Sequence, residues 1–187
     1  MSTIRIESKL DHATLKKPLP WRAFKPGGIF RVEFPAGMSL YKVTQAGAVT
    51  GSGALPAGAA GFVTPWWFSY KTLAAQHPRL GTVNVRGIAD VVESANRSKA
   101  GSLLSFLRAR GAVCRDWNTM THLLIVELRR SAIGMIGACS GQPVFDDVGV
   151  AQASGVDNIR FIGGEQQLYM PGLRVGDVVV RSFGSLP

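Results

Sequence analysis

Three polar residues in a row, Glu165, Gln166 and Gln167, interrupt an otherwise apolar stretch near the end of the chain. They follow a Gly-Gly pair and precede "LYMPG", between two stretches that read as strands. Acidic and amide side chains weaken a strand unless they lie at an edge or take part in binding or chemistry. A carboxylate and two amides can hydrogen-bond the hydroxyl groups of a sugar. The plainer interpretation is a strand–turn–strand in which the glycines serve only the turn.

Other catalytic side chains are sparse. The histidines His12, His77 and His122 have no serine or cysteine of a nucleophile-elbow motif near them, so a Ser–His hydrolase is weakly supported. The acidic doublet Asp146-Asp147 lacks the alternating oxygen ligands of a calcium loop.

Two cysteines, Cys114 and Cys139, stand alone among apolar or small residues. Their spacing is not that of a zinc site, and we expect no metal. Buried inert thiols are the default interpretation, and a disulfide stays open because sequence does not give distance.

A basic residue and a hydroxyl residue from earlier segments can join the polar turn in one cleft. The segment "SLYKV" supplies Lys42, and "GFVTPWW" supplies Thr64 just before a bend. In such a set the cation meets a phosphate, the hydroxyl and nearby aromatic residues frame a planar ring, and the acid or amide bonds a ribose hydroxyl. The set therefore suits an anionic ligand with a planar ring.

In the same chain order, these segments resemble the motifs of the ADP-ribosyltransferase superfamily, which includes bacterial NAD-consuming toxin domains. Its Arg–Ser–Glu branch carries an early-strand Arg, a Ser-Thr-Ser-like strand, and a Glu-x-Glu turn that runs into Pro-x-Gly. Here "EQQLYMPG" resembles that turn, with Glu165 at the first acid and Gln167 at the second. Thr64 matches the hydroxyl and Lys42 the arginine, and the resemblance covers roughly residues 38–181.

Two departures from the family pattern bear on activity. Lys42 offers a point charge where Arg would grip a phosphate with two donors, so Arg31 is the substitute candidate and Arg22 a weaker one. Gln167 cannot supply the negative charge that stabilises an oxocarbenium-like ribose. Toxin domains that hydrolyse NAD are similar in using Gln on a Gly-Gly-x-x-Gln turn. The resemblance thus implies an NAD glycohydrolase more than a protein-modifying transferase, and it leaves open a domain that has lost catalysis.

The resemblance also implies roles for ten residues, with NAD as the substrate. The catalytic residues would be Glu165, Gln167 and Thr64. The residues that contact NAD would be Arg31, Lys42, Tyr41, Trp66, Trp67, Tyr70 and Gln166. A toxin of this kind would have a protein target or an acidic immunity or antitoxin partner.

Periodicity predicts the elements that must position these residues. We expect strands at 29–37, 39–45 and 122–128 and, near the end of the chain, at 159–162, 166–170 and 174–182. We also expect a mobile glycine-rich loop at 46–61, a helix from about 67 to 76, helices within 85–111, and a loop at 141–158. The prediction is an α+β fold in which two small antiparallel sheets form a cleft and the helices are segregated. Residues 1–28 would form an arm or lead-in, and residues 29–187 a single domain.

Composition bounds the class of protein. The 187 residues are 46% hydrophobic and 18% charged, which is typical of a globular domain. The net charge of +9 either favours polyanions, anionic cofactors or acidic partners, or serves only to maintain solubility. No long basic tail is present, so a dedicated nucleic-acid arm is not favoured. No apolar signal segment or membrane-length apolar run is visible, so we expect synthesis in a cytoplasm and, for a toxin, delivery to another cell.

An alternative hypothesis is a non-enzymatic basic binding or assembly protein. It would be a component of a larger particle or a nucleic-acid-associated module. The glycine-rich 46–61 segment, the scattered basic residues and the N-terminal arm would then make its contacts.

Overall fold

The structure is a computed structural model that describes residues 3–10, 23–50, 53, 55, 61–98, 101–115, 117–156 and 158–186. Within these ranges the chain forms ten strands and three α-helices. The strands are β1 (Ile4–Leu10), β2 (Ile29–Phe34), β3 (Ser39–Thr44), β4 (Trp66–Ser69), β5 (Leu73–His77), β6 (Gly81–Val85), β7 (His122–Leu128), β8 (Ala132–Ala138), β9 (Gln166–Tyr169) and β10 (Val178–Ser185). The helices are α1 (Ile88–Arg97), α2 (Leu103–Arg110) and α3 (Val148–Ala153).

All ten strands belong to one mixed sheet in the order β10-β7-β3-β4-β9-β8-β2-β1-β5-β6. Neighbouring strands are antiparallel except β1 and β5, which are parallel. The predicted pair of small antiparallel sheets with segregated helices is therefore wrong. The physical reason is the short strand β4, which pairs with β3 on one side and β9 on the other and so joins the two halves.

The main hydrophobic core collects side chains from every strand of this sheet, including both of its ends. Strands at opposite ends of the order can share one core only if the sheet curls strongly, as twisted sheets of many strands do. Its fully buried members include Phe34, Leu40, Trp67, Leu124 and Ile136.

Helices α1 and α2 cover a second, smaller core. Val91 and Ala95 of α1 and Leu107 of α2 are buried there, together with Val43 of β3. The apolar 3/4 spacing predicted helices in 85–111, and this prediction is confirmed. Ser102 begins α2 because its hydroxyl accepts a hydrogen bond from the Ser105 backbone N–H at 3.1 Å.

The helix predicted at 67–76 is wrong, because these residues form β4 and β5. Trp67 is buried in the main core, whereas the ring of the next residue, Phe68, stacks on Tyr41. Side chains that alternate between two environments have the period of a strand. The leucine and alanines at 73–75 favour a helix locally, but pairing with β1 and β6 places them in the sheet.

Three further differences concern the ends and loops. The proposed N-terminal arm contributes Ile4–Leu10 to the sheet as β1. The loop expected at 141–158 contains α3. In place of the strand expected at 159–162, Arg160 makes an isolated bridge with Pro143. Of the loop predicted at 46–61, residues 51, 52, 54 and 56–60 lie outside the described residues.

The longest of the described helices, α1, has ten residues. None of the helices in the described part of the chain is long and apolar enough to cross a membrane.

Candidate functional site

Strand register divides the predicted site residues between the two faces of the sheet. Tyr41 pairs with Phe68, so the next residue, Lys42, falls opposite Trp67, which pairs in turn with Leu168. Because successive side chains of a strand point to opposite faces, Lys42 and Trp67 share one face. By the same register, Tyr41 and Gln167 lie on the other face.

On the first face, Lys42, Thr64 and Trp67 form a contact group that we call the Lys42 cluster. The Nζ of Lys42 donates to the Oγ1 of Thr64, an exposed residue in the loop before β4. The same Nζ lies 4.7 Å from the centroid of the Trp67 ring, within the range of a cation–π interaction. The sequence predicted that these three residues share a site, and the structure brings them together.

Burial gives the Lys42 cluster unusual electrostatics. Burial of the amine lowers the pKa of Lys42 from 10.5 to about 8, since a low-dielectric environment disfavours the charged form. Among the described residues, Lys42 forms no ion pair. The amine is therefore a cation at neutral pH that loses its proton in mild alkali.

Trp67 adds an unsatisfied donor beside this amine. Its indole Nε1–H is buried and has no hydrogen-bond partner within the described ranges. An unpaired buried donor costs free energy.

On the opposite face, the Glu165 carboxylate is held in a buried ion pair. Glu165 is 1% exposed, and Nη1 of Arg86 lies 2.9 Å from each of its two oxygens. Arg86 is itself fixed from α1, because its Nη2 donates to the Asp90 carbonyl at 2.8 Å and to the Ser94 hydroxyl at 2.6 Å. The carboxylate of the predicted catalytic acid is therefore occupied by a structural ion pair with Arg86.

Sequence reasoning missed Arg86, which lies between β6 and α1. The available signal was indirect: a buried carboxylate requires a cation or several donors. Nothing in the spacing of 79 residues between Arg86 and Glu165 identifies the pair.

The two glutamines are also engaged within the protein. The Oε1 of Gln166 accepts from the Arg86 backbone N–H at 3.0 Å, and its Nε2 donates to the Asn84 carbonyl at 3.0 Å. The Nε2 of Gln167 donates to the Gly111 carbonyl at 3.1 Å. The polar turn therefore ties β9 to the segments at the ends of β6 and α2.

Tyr41 lies on the same face as Glu165. Its ring is fully buried and stacks on Phe68 with centroids 5.3 Å apart, and its hydroxyl has no hydrogen-bond partner in the described part of the chain. Burial, and then the charge of Glu165, raise the pKa of the Tyr41 hydroxyl, while Arg86 opposes the shift. Tyr41 and Lys42 are adjacent in sequence, but they do not contribute to one cleft.

The remaining predicted residues have separate surroundings. Arg31 is 54% exposed and pairs with Glu7 at 2.7 Å in a surface ion network. The Trp66 ring packs between Phe24 and Tyr169, with centroids 5.6 and 4.5 Å away. Tyr70 is half-buried after β4, and its backbone N–H donates to Ser39 at 3.0 Å. Arg22 lies outside the described residues.

The other candidate groups of the sequence have structural contacts. The rings of His122 and Phe183 stack 5.0 Å apart at β7 and β10. The buried thiols of Cys114 and Cys139 donate to the carbonyls of Pro143 and Arg110 at 3.2 and 2.8 Å. Burial raises the pKa of Cys139 to about 11. Across the described residues, no group of three or more His, Cys, Asp or Glu side chains could hold a metal ion.

Comparison with family models, with curated proteins and with solved structures found no match to this chain.

Proposed function

We propose that the chain is an NAD-consuming enzyme, which hydrolyses NAD to nicotinamide and ADP-ribose or transfers the ADP-ribose to an acceptor. The sequence support is the resemblance of "GGEQQLYMPG" and the segments before it to ADP-ribosyltransferases. The observation that carries the proposal is the Lys42 cluster, because a cation, a hydroxyl and an aromatic ring from separate segments meet there.

Each member of the cluster has a chemical role in this proposal. Lys42 supplies a positive charge for the pyrophosphate and Thr64 supplies an exposed hydroxyl. The buried Trp67 ring lies behind the amine. The net charge of +9 helps to collect a dianionic dinucleotide. Chemistry would proceed by loss of nicotinamide, and water or an acceptor side chain would capture the oxocarbenium-like ribose.

Glu165 and Gln167 take a different role from the one that the resemblance implies. Since both side chains are engaged on the other face, we assign them to positioning: they hold β9 beside β4, the strand that carries Trp67. Contact of Glu165 with the ribose is not part of this proposal.

The same separation favours a second function, namely binding of NAD or another anionic ligand without chemistry. An oxocarbenium-like centre gains stability from a nearby carboxylate, and Glu165, the predicted acid, lies on the opposite face from Lys42. A basic binding protein would use the same cluster and need no such acid.

Release of free nicotinamide from NAD separates the two functions. For the enzyme, the wild-type protein releases nicotinamide, and Lys42→Met lowers kcat/KM at least tenfold, the loss expected for about 1.4 kcal/mol of binding energy. Lys71→Met is the matched control, since Lys71 is an exposed residue in the turn between β4 and β5, and it should keep wild-type activity.

Absence of nicotinamide release from the wild-type protein would reject the enzyme. A rise in melting temperature with NAD under those conditions would support the binding function. If the Lys42→Met and Lys71→Met proteins lose activity or NAD binding equally, the Lys42 cluster is not the site for either function.

A further inference from the structure

Two cationic side chains converge on Gly164, the second residue of the Gly163-Gly164 pair. A Cβ atom placed on Gly164 would lie 3.2 Å from Nζ of Lys25 and 3.3 Å from Nη2 of Arg110. The two nitrogens are therefore within about 6.5 Å of each other, a distance at which like charges repel appreciably near a protein surface.

Backbone contacts hold the three segments in this arrangement. The Lys25 N–H donates to the Ala138 carbonyl at the end of β8 at 2.8 Å, and the Arg110 carbonyl at the end of α2 accepts from the Glu165 N–H at 2.9 Å. Gly164 has a φ of +97°, a conformation that glycine adopts without strain. The two cations thus extend from fixed backbone, and Gly164 places no side chain between them.

Neither cation is neutralised by a carboxylate in the described part of the chain, where ion pairs are formed by other residues. Glu165 follows directly in sequence, but its two oxygens are taken by Arg86. A pair of like charges without a counter-charge is an unfavourable arrangement that a bound anion would relieve.

We propose that Lys25 and Arg110, beside Gly164, form an oxyanion site that takes the phosphate or pyrophosphate group of a ligand. The Arg110 guanidinium offers a planar set of donors to two oxygens, and the Lys25 ammonium adds a mobile point charge. Gly164 allows the phosphate to approach the backbone. This site is distinct from the Lys42 cluster and does not rest on the proposed reaction, since any phosphorylated ligand of suitable shape would satisfy it.

Calorimetric titration with inorganic pyrophosphate at fixed ionic strength tests the site. We expect saturable binding by the wild-type protein and at least a tenfold rise in Kd in a Lys25→Met, Arg110→Met double variant. The control, Lys71→Met with Arg97→Met, removes the same charge from exposed positions and should keep the wild-type Kd. The melting temperature of each variant shows that it is folded.

Parallel titrations with inorganic phosphate and with ADP-ribose distinguish a free anion from the phosphates of a nucleotide. Tighter binding of ADP-ribose, lost in the Lys25 and Arg110 variant, assigns the site to a nucleotide, and tighter binding of the inorganic ions assigns it to free anions. Absence of saturable pyrophosphate binding, or equal weakening in both double variants, would overturn the site. Neither result depends on nicotinamide release, so failure of the reaction and failure of this site are separately visible.

Discussion

At the scale of single residues, the protein treats the buried charge of Glu165 and the half-buried charge of Lys42 differently. Glu165 receives both a cation and a network behind that cation, which is the condition under which a buried carboxylate is tolerated. Lys42 has a hydroxyl and an aromatic face but no carboxylate partner among the described residues. Groups with perturbed pKa values cluster at functional sites, and this supports the role proposed for Lys42.

The Lys42 amine should make stability depend on pH in alkaline solution. Its folded-state pKa of about 8 lies below its ordinary value of 10.5, so the unfolded chain binds more protons between these two pH values. Stability therefore rises with pH across that window, because the cost of burying the charge is full below pH 8 and absent above 10.5. Relative to Lys42→Met, the wild-type free energy of unfolding should gain about 2 kcal/mol from pH 8 to 10.5.

Denaturant unfolding of both proteins at several pH values measures this difference. The Lys42→Met protein serves as the reference that cancels the other groups titrating in the same range. A difference between the two proteins that stays flat from pH 8 to 10.5 would show that the amine keeps its ordinary pKa.

Replacing Arg86 should show how much free energy it costs to bury the Glu165 carboxylate without its cation. Arg86→Met leaves a carboxylate that is 1% exposed without its cation, and we expect a loss of about 3 kcal/mol in the free energy of unfolding. Arg97→Met breaks an exposed i,i+4 pair with Glu93 and should cost no more than about 0.5 kcal/mol. Urea unfolding measures both, and equal small losses would mean that water solvates Glu165.

The sequence predicted part of this residue-level arrangement. Lys42, Thr64 and Trp67 were expected to lie in one cleft with Glu165 and Gln167, and the first three are in contact. Their separation from Glu165 could not be read from the motifs, because it depends on the register of β3, β4 and β9. A shift of one residue in the register of a strand would move all of its side chains to the opposite face of the sheet.

At the scale of elements, strands with strict alternation were predictable and the aromatic segment was not. The segments at β2, β3 and β7 alternate or are strongly apolar, and all three form strands. The segment 67–76 mixes aromatic residues with helix-favouring Leu and Ala, so its local signals conflict. Pairing with β3, β9, β1 and β6 decides its structure, and all of these partners except β6 are distant in sequence.

Glycines in the strands provide a test of how closely the elements pack. A Cβ on Gly134 of β8 would lie 2.5 Å from the Tyr169 carbonyl oxygen and 2.8 Å from the Phe34 ring. Gly134→Ala should therefore destabilise the protein by about 2 kcal/mol through overpacking. A Cβ on Gly184 of β10 meets no atom within 4 Å, so Gly184→Ala should change stability by less than about 0.5 kcal/mol.

Thermal or urea unfolding of the two alanine variants gives the comparison. Equal stability of both variants would mean that β8 and β9 pack more loosely around Gly134 than the 2.5 Å approach implies.

At the scale of the whole molecule, the architecture depends on contacts that local patterns do not specify. Many separate strands could be recognised, and the short β4 that joins them could not, because its four residues pair with two strands from opposite ends of the sequence. Likewise, β1 enters the sheet from a polar segment that reads as a lead-in. These two pairings turn the expected pair of sheets into a single curled sheet.

The net charge of +9 is a property of the molecule rather than of one site. It favours encounter with any anionic ligand, and it does so less as salt increases. The charge alone therefore cannot identify NAD. The identification depends on whether the dinucleotide reaches the Lys42 cluster.

The most direct test of whether NAD binds at the Lys42 cluster is the indole N–H resonance of Trp67, followed by NMR during titration with NAD. The Trp67 indole has no partner in the described part of the protein, whereas that of Trp117 donates to Asp146 at 3.0 Å and serves as an internal reference. The proposed function predicts a saturable shift of the Trp67 signal that is lost in Lys42→Met, with the Trp117 signal unchanged. A Trp67 signal that stays fixed at saturating NAD would contradict the assignment of the Lys42 cluster as the NAD site.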